Sequence, residues 1–198
     1  MSTIINADTS DGLKFTSDTS GEIKLQSGGT DIATVNSSGI TMASGKAVSG
    51  GEIIQNTGPA FSAYLSANQT ITTNTYTKLQ IDTVDFDTSS DYDNTTDYRF
   101  TPSVAGYYQV TALASTSGLA NATVHFINIY KYGSIFARGS RFANGATAGT
   151  QSVATKLIYM NGTTDYLEFY VFHNHGSNLS TISGVDLTYA TANLVRAA

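Results

Sequence analysis

Cysteine is absent from the 198-residue sequence, and proline occurs only twice. Without cysteine the chain can form no disulfide and no cysteine-ligated zinc site. Two prolines are too few for a rigid proline-rich linker. The length suffices for one domain that buries roughly 70% of its unfolded surface, together with an appendage.

Charge is also scarce, with 10 basic and 15 acidic residues and a formal net charge of -5. The basic residues are scattered and form no patch that would follow a phosphate backbone, so nucleic acid is not an expected partner. No apolar stretch approaches the length of a membrane-spanning helix, and the first ten residues lack the basic start and apolar run of a secretory signal. We therefore expect neither membrane insertion nor export.

Short apolar segments separated by polar turns fill the rest of the chain. Between Phe61 and Leu194 ten of them carry the alternation or the aromatic and β-branched content of strands, and none has a helical period. The predicted strands are Phe61–Leu65, Thr75–Leu79, Ile81–Phe86, Tyr98–Phe100, Gly106–Ala114, Thr123–Tyr132, Ser134–Arg138, Gln151–Tyr159, Tyr166–His173 and Ser183–Leu194. This pattern predicts an all-β sandwich, of which the jelly roll is the most typical form.

The N-terminal part repeats a smaller unit, in which two or three alternating apolar residues precede a turn of Gly, Ser or Asp. The predicted strands are Leu13–Phe15, Ile23–Leu25, Ile32–Val35 and Ile40–Met42. Such strands are too short to bury a core within one chain, and three copies winding together would supply the missing surface. A flexible Ser/Gly tail is the alternative. The predicted segments are an appendage over 1–50, a linker over 51–58 and a head over 59–198.

Two turns between predicted strands have hairpin sequences. Lys131–Ser134 contains Gly133, and Met160–Thr163 contains the pair Asn161 and Gly162, the strongest hairpin signal in the chain. Pro102 is expected at a turn or an edge, since it cannot donate to a ladder, and Gly106 is expected to help the backbone reverse.

Acidic residues cluster in one turn-rich stretch, at Asp82, Asp85, Asp87, Asp91, Asp93 and Asp97. Calcium prefers several oxygen ligands from a flexible loop, so a calcium site with Asp85, Asp87, Asp91 and Asp93 as ligands is one hypothesis. The spacing is not that of an EF-hand. The other interpretation is a set of aspartates that cap their own turns. No other cofactor is expected.

Histidine offers no catalytic pattern. His173, Asn174 and His175 follow a predicted strand and are interpreted as a polar strand end or loop, because further metal-binding or catalytic partners are missing. His125 lies inside a strand and is interpreted as hydrogen-bonded or interfacial. Serine is plentiful, but no nucleophile elbow or triad is present, so we do not expect an enzyme.

A succession of aromatic motifs runs through the head: Pro59–Ala63 (PAFSA), Phe86, Tyr92–Asp93, Phe100–Pro102 (FTP) and Ala105–Tyr108 (AGYY). This succession resembles the C1q-like globular head of the complement and tumour necrosis factor superfamily. The resemblance implies a ten-stranded jelly roll that forms a threefold homotrimer. Tyr64, Tyr107, Tyr108 and Tyr170 are then candidates for the trimer axis or the core.

The N-terminal segment, with INADTSDGLKFTSDTSG and ATVNSSGITMASG, resembles the attachment repeats of bacteriophage structural proteins. This resemblance implies a virion protein, assembled in the host cytoplasm, whose first 50 residues bind other virion proteins. We expect a short trimeric fibre or knob whose head faces the medium, with a host surface glycan or protein as its partner. A capsid decoration (cement) protein is the alternative, and a free lectin-like module is a third. The ligand-facing loop candidates are Asn144, Thr147, His173, Asn174 and His175.

Overall fold

Two compact units make up the chain, Met1–Gln55 and Asn56–Ala198. The computed structural model describes residues 21–46, 58–120, 122–143 and 148–198. The predicted strand Leu13–Phe15 and residues 51–57 of the predicted linker lie outside this part. Among the described residues there is no helix with the length and hydropathy of a membrane span.

The first unit contains an antiparallel meander of three strands. They are β1 (Ile23–Ser27), β2 (Thr30–Asn36) and β3 (Gly39–Met42), in the order β1-β2-β3. The three strands predicted here are therefore confirmed. Among the described residues of this unit only Ala33 is buried, while Leu25 is 51% and Ile40 71% exposed. The sheet has hydrogen bonds but almost no core.

The second unit contains the predicted head and consists of strands only. Fourteen strand segments are seen in its described residues: β4 (Ala60–Tyr64), β5 (Thr70–Ile71), β6 (Thr77–Lys78), β7 (Thr83–Asp87), β8 (Tyr92–Asp93), β9 (Arg99–Phe100), β10 (Gly106–Leu119), β11 (Val124–Lys131), β12 (Ser134–Arg138), β13 (Phe142–Ala143), β14 (Ala148–Met160), β15 (Leu167–His173), β16 (Leu179–Ser180) and β17 (Thr188–Ala197). Six of these segments have only two residues, and four of the six, β5, β8, β13 and β16, were not predicted as strands.

Two antiparallel sheets face each other in this unit. The five-stranded sheet has the order β14-β10-β17-β4-β7, and the seven-stranded sheet has the path β12-β11-β15-β9-β8, with β13 beside β11 and β6 beside β15. Strands β16 and β5 form a separate two-stranded sheet, and Ile71 of β5 belongs to the same core. The predicted all-β sandwich is confirmed.

Four aromatic residues form the centre of the core between the sheets. The Phe61 ring stacks on Tyr92 and on Phe100, with ring centroids 4.6 Å apart in both pairs, and Phe100 meets the edge of Tyr108 at 5.6 Å. The Tyr92 and Tyr108 hydroxyls each donate to a backbone carbonyl, so neither hydroxyl is left without a hydrogen-bond partner. Full burial of one such ring stabilises the fold by about 1.5–3 kcal/mol.

In strand β10 the alternation of residue types along the sequence matches the alternation of buried and outward-facing side chains. Tyr108, Val110 and Ala112 are fully buried in the core, whereas the residues between them lie on the outer face of the five-stranded sheet. Gly106 begins this strand without a positive φ, so its predicted role in reversing the backbone is wrong. A Cβ at this position would lie 2.4 Å from the Arg196 carbonyl oxygen, and glycine is required there for close packing.

The two predicted hairpins have different outcomes. Lys131 pairs with Ser134 across a turn in which Tyr132 and Gly133 both have positive φ, which confirms the first hairpin. Strands β14 and β15 on either side of Asn161 belong to different sheets, so the second hairpin is wrong. The turn at Asn161 instead carries the chain across the sandwich.

The predicted strand Ser183–Leu194 begins too early. Leu187 and Thr188 both donate their N–H groups to the Gly184 carbonyl, and this turn precedes β17. Local hydrogen bonds within the turn therefore override the strand-like composition of residues 183–187.

Candidate binding surfaces

An apolar strip lies on the outer face of the five-stranded sheet. It consists of four side chains that are each between 43% and 59% exposed, namely Tyr107, Leu157, Tyr159 and Val195. Tyr107 and Tyr159 are cross-strand partners on β10 and β14, with ring centroids 5.4 Å apart. Solvent-exposed apolar side chains gathered in this way are typical of an interaction surface.

The strip continues into a shallow depression of about 540 Å³ at the end of β17. Tyr107, Leu157 and Val195 line one part of it, and residues 196–198 line the other. Beside the strip the same face is polar, since Gln109 Nε2 donates to Thr155 Oγ1 at 2.8 Å. The exposed apolar surface is thus concentrated at one end of the sheet.

The four tyrosines predicted for the axis or core occupy three environments. Tyr108 is a core residue, and its burial raises the pKa of its hydroxyl to about 12. Tyr107 belongs to the apolar strip, and Tyr64 is half-buried on β4. Tyr170 is half-buried on the outer face of the seven-stranded sheet. A place at a trimer axis remains a prediction for the three that lie outside the core.

The four aspartates predicted as calcium ligands do not converge. Among the described residues no three acidic or histidine side chains are grouped as a metal site requires. Each carboxylate accepts hydrogen bonds from a different place, in the pairs Asp85–Ser62, Asp87–Tyr92, Asp91–Ser103 and Asp93–Thr96. The N–H groups of Thr96 and Thr95 lower the pKa of Asp93 to about 2. The four carboxylates therefore bind four separate partners and are not arranged as a calcium site in this structure.

His173 is fully buried, so the prediction that its ring faces a ligand is wrong. Its Nδ1 accepts the N–H of His175, and its Nε2 lies 3.1 Å from the Ile71 carbonyl oxygen. Asn174 is exposed, and its Oδ1 accepts the N–H of Val124. His175 is half-buried. Ligand contact at Asn174 and His175 remains a prediction, and Asn144 and Thr147 lie outside the described residues.

His125 faces His173 across the β11–β15 ladder and is also fully buried. Its Nε2 lies 2.8 Å from Thr116 Oγ1, so the prediction of a hydrogen-bonded histidine is confirmed. Burial, and to a smaller extent the neighbouring His173, lower the pKa of His125 to about 4. Both imidazoles are held neutral inside the sandwich, and this favours a structural role over acid–base chemistry.

Five aromatic rings cover part of the outer face of the seven-stranded sheet; we call them the aromatic face. They are Tyr76, Phe126, Tyr130, Tyr170 and Phe172. The guanidinium groups of Arg138 and Arg141 lie over this face. Neither arginine was predicted as a site residue. Strand β11 gives only a partial signal, since Phe126 and Tyr130 are aromatic residues on its outer face, and its sequence does not indicate Tyr76 or either arginine.

A scan against protein-family models finds no match, and a search of curated proteins finds no significant relative. Among solved structures, the globular domain of zebrafish complement 1qA protein superposes with a TM-score of 0.52 at 14% identity, over 71% of this chain and 99% of that one. Murine APRIL at pH 5.0 superposes with a TM-score of 0.53 at 7% identity, over 70% of this chain and 99% of that one. The C-terminal unit is a C1q/TNF-type jelly roll. We call it the jelly-roll head below.

PRD1 vertex protein P5 shares this fold with the jelly-roll head. It superposes with a TM-score of 0.50 at 19% identity, over 70% of this chain and 97% of that one. At such identities the likeness concerns the fold, because one jelly roll carries many unrelated surfaces. The predicted C1q-like fold is thereby confirmed.

Proposed function

We propose that this chain is a bacteriophage virion surface protein, a short trimeric fibre or knob. Residues 1–50 attach it to the particle, and the jelly-roll head faces the medium and binds the host surface. The N-terminal resemblance to phage attachment repeats supports this proposal, as does the fold shared with PRD1 vertex protein P5. The proposal assigns the chain no enzymatic activity.

The apolar strip is the observation that best supports a trimer. Leu157 and Val195 are 51% and 59% exposed in the single chain, although water is an unfavourable environment for them. A second copy that packs over Tyr107 and Tyr159 would bury both rings and leave their hydroxyls at the rim. Repetition of this contact around a threefold axis closes the assembly.

The N-terminal sheet supports the same symmetry. Its three strands bury only Ala33 among the described residues and leave Leu25 and Ile40 exposed. Three copies placed side by side would cover these side chains, as stacked repeats do in solenoid proteins. The trimer therefore stabilises the attachment segment as well as the head.

Light scattering of the full-length chain tests the trimer. We expect three times the 20.9 kDa mass of one chain. Leu157→Glu places a charge in the strip and should shift the mass towards one chain, because an unpaired buried charge is costly. Ile135→Glu, on the exposed strand β12 of the other sheet, is the matched control and should leave the mass unchanged. A wild-type monomer at micromolar concentration would refute the assembly.

Capsid decoration is the second candidate function, favoured by the exposed apolar residues of the small N-terminal sheet. In that case the sheet clamps the capsid lattice, and the head only projects. Two measurements distinguish these functions. Specific, saturable binding of the protein to host cells supports a fibre or knob, whereas a higher melting temperature of capsids to which the protein is added supports decoration. A chain that is absent from purified virions would contradict both.

A further inference from the structure

The aromatic face is a continuous layer of rings. Phe126 and Phe172 are cross-strand partners on β11 and β15, with centroids 5.1 Å apart. Tyr76 covers both, at 6.3 Å from Phe126 and 5.0 Å from Phe172. Tyr130 and Tyr170 extend the layer at 4.1 Å from each other. All except Phe126 are partly accessible, so the layer presents ring surface to solvent.

Two guanidinium groups are fixed on this layer. Arg138 lies 5.7 Å from the Phe126 centroid and 5.9 Å from the Tyr76 centroid, and its Nη1 donates to the Tyr76 hydroxyl at 3.0 Å. Arg141 lies 6.0 Å from the Phe126 centroid. Stacking on rings leaves most of the five N–H donors of each guanidinium free. Both arginines are exposed and can reach a ligand.

Within the part of the chain that the structure describes, no carboxylate balances the charge of this surface. No carboxylate within residues 21–46, 58–120, 122–143 and 148–198 forms an ion pair with Arg138 or Arg141. Arg99, by contrast, pairs with Asp97 at 3.0 Å. The neighbouring Lys78 and Glu168 neutralise each other. Two cations without a carboxylate partner among the described residues thus line the same cavity, which makes this face complementary to an anion.

A small cavity lies beside the two arginines. Phe126, Arg138, Gly139 and Arg141 line this cavity, which has a volume of about 70 Å³. On the same measure a site for one water needs about 10–15 Å³, so the cavity has room for a carboxylate. The rest of a carboxylated ligand would then lie against the accessible edges of Tyr76 and Phe172.

We propose that this surface binds the carboxylated sugars of an acidic polysaccharide. Arg138 and Arg141 bind the carboxylate, since a planar guanidinium matches its two oxygens. The partly exposed rings contact the C–H face of the sugar. The inference rests on the proposed function, because it identifies the class of host molecule that the head recognises.

The test uses the full-length protein on an array of oligosaccharides that contain glucuronic, galacturonic or sialic acid. Each is paired with its carboxyl-reduced form as the matched probe. We expect saturable binding to at least one acidic probe, at least about 10-fold weaker binding to its reduced form, and weaker binding as salt is added. Equal binding to both forms, or binding to none of the acidic probes, would overturn the inference.

Variants locate the site. Arg138→Gln and Arg141→Gln should each weaken binding by about 10-fold, as expected for the loss of a charge-assisted pair, and the double variant should abolish it. Arg99→Gln is the control, because Arg99 also stacks on a ring, Tyr166 at 4.7 Å, and its removal changes the net charge equally. It should bind as the wild type does. If the double variant binds normally, the assignment is wrong.

Two further measurements keep this inference separate from the proposed function. The double variant should keep the wild-type mass and melting temperature, since both side chains are exposed. A virion protein that binds none of the acidic sugars overturns this inference alone. A chain that binds them but is absent from virions overturns the proposed function and leaves the sugar site in place.

Discussion

At the scale of single residues, the buried histidines couple stability to pH. Burial lowers the pKa of His125 to about 4, and burial also lowers the pKa of His173. An unfolded histidine binds a proton near pH 6.5, so between pH 6.5 and 4 the unfolded chain binds more protons than the folded one. The free energy of unfolding therefore decreases as the pH falls through this window, by on the order of 3 kcal/mol for His125.

Replacement of His125 by glutamine tests this coupling. The amide introduced by His125→Gln can still face Thr116 Oγ1 but cannot be protonated, so the decrease in unfolding free energy between pH 6.5 and 4 should become smaller. Urea unfolding at pH 7, 5.5 and 4 measures it. His175→Gln removes an imidazole that is only half-buried, and it should retain most of the wild-type pH dependence. An unchanged slope in His125→Gln would show that other groups cause the effect.

At the scale of structural elements, the turn after β14 directs the chain from one sheet to the other. Asn161 Oδ1 accepts the N–H groups of Thr163, Thr164 and Asp165 at 2.9–3.0 Å. The Asp165 carboxylate pairs with Lys131 at 2.8 Å, which attaches the turn to the end of β11. The Asn-Gly sequence therefore forms a capped crossing turn.

Gly162→Ala tests the packing of this turn. Gly162 has a φ of +72°, and a Cβ there would lie 2.4 Å from the Ala105 backbone nitrogen. Gly133 has the same φ of +72°, but its Cβ would meet only the Tyr166 hydroxyl at 3.6 Å. We expect Gly133→Ala to cost about 1–2 kcal/mol of unfolding free energy from backbone strain alone.

The clash should make Gly162→Ala worse by a further ~1–3 kcal/mol. Chemical denaturation of the two variants in parallel measures the difference. Equal losses would mean that the crossing turn relaxes without cost and is not closely packed against Ala105.

At the scale of the whole molecule, assembly and folding should be linked. If the apolar strip is buried only in the trimer, the trimer is more stable at high protein concentration by mass action. The melting temperature of the wild type should then rise by several degrees between about 1 and about 100 µM. Differential scanning fluorimetry over this range measures the shift.

The Leu157→Glu variant provides the comparison, because its melting temperature should not vary with concentration. Ile135→Glu should behave as the wild type does. A wild-type melting temperature that is constant over the whole range would contradict obligatory assembly, even if a trimer is seen by mass.

The sequence by itself determined the class of the fold and much of its core. Alternation and turn residues predicted most of the longer strands, and the motif residues Phe61, Tyr92, Phe100 and Tyr108 meet in one aromatic cluster. Both results depend on local patterns, since a strand reveals its buried face through its own period of two. The Lys131–Ser134 hairpin could likewise be predicted from the residues of its own turn.

Only the tertiary structure decided which strands share a sheet and which residues meet on its surface. Asn161-Gly162 carries the same local signal in a hairpin and in a crossing turn, and the difference lies in the partners β10 and β11, which are distant in sequence. For the same reason Tyr76, Phe126 and Arg138 form one surface that no single segment indicates. The aspartates show the converse, since four carboxylates close in sequence bind four separate partners and do not converge. Which side chains meet depends on the pairing of strands that are distant in sequence, and the local periodicity of one strand carries no information about that pairing.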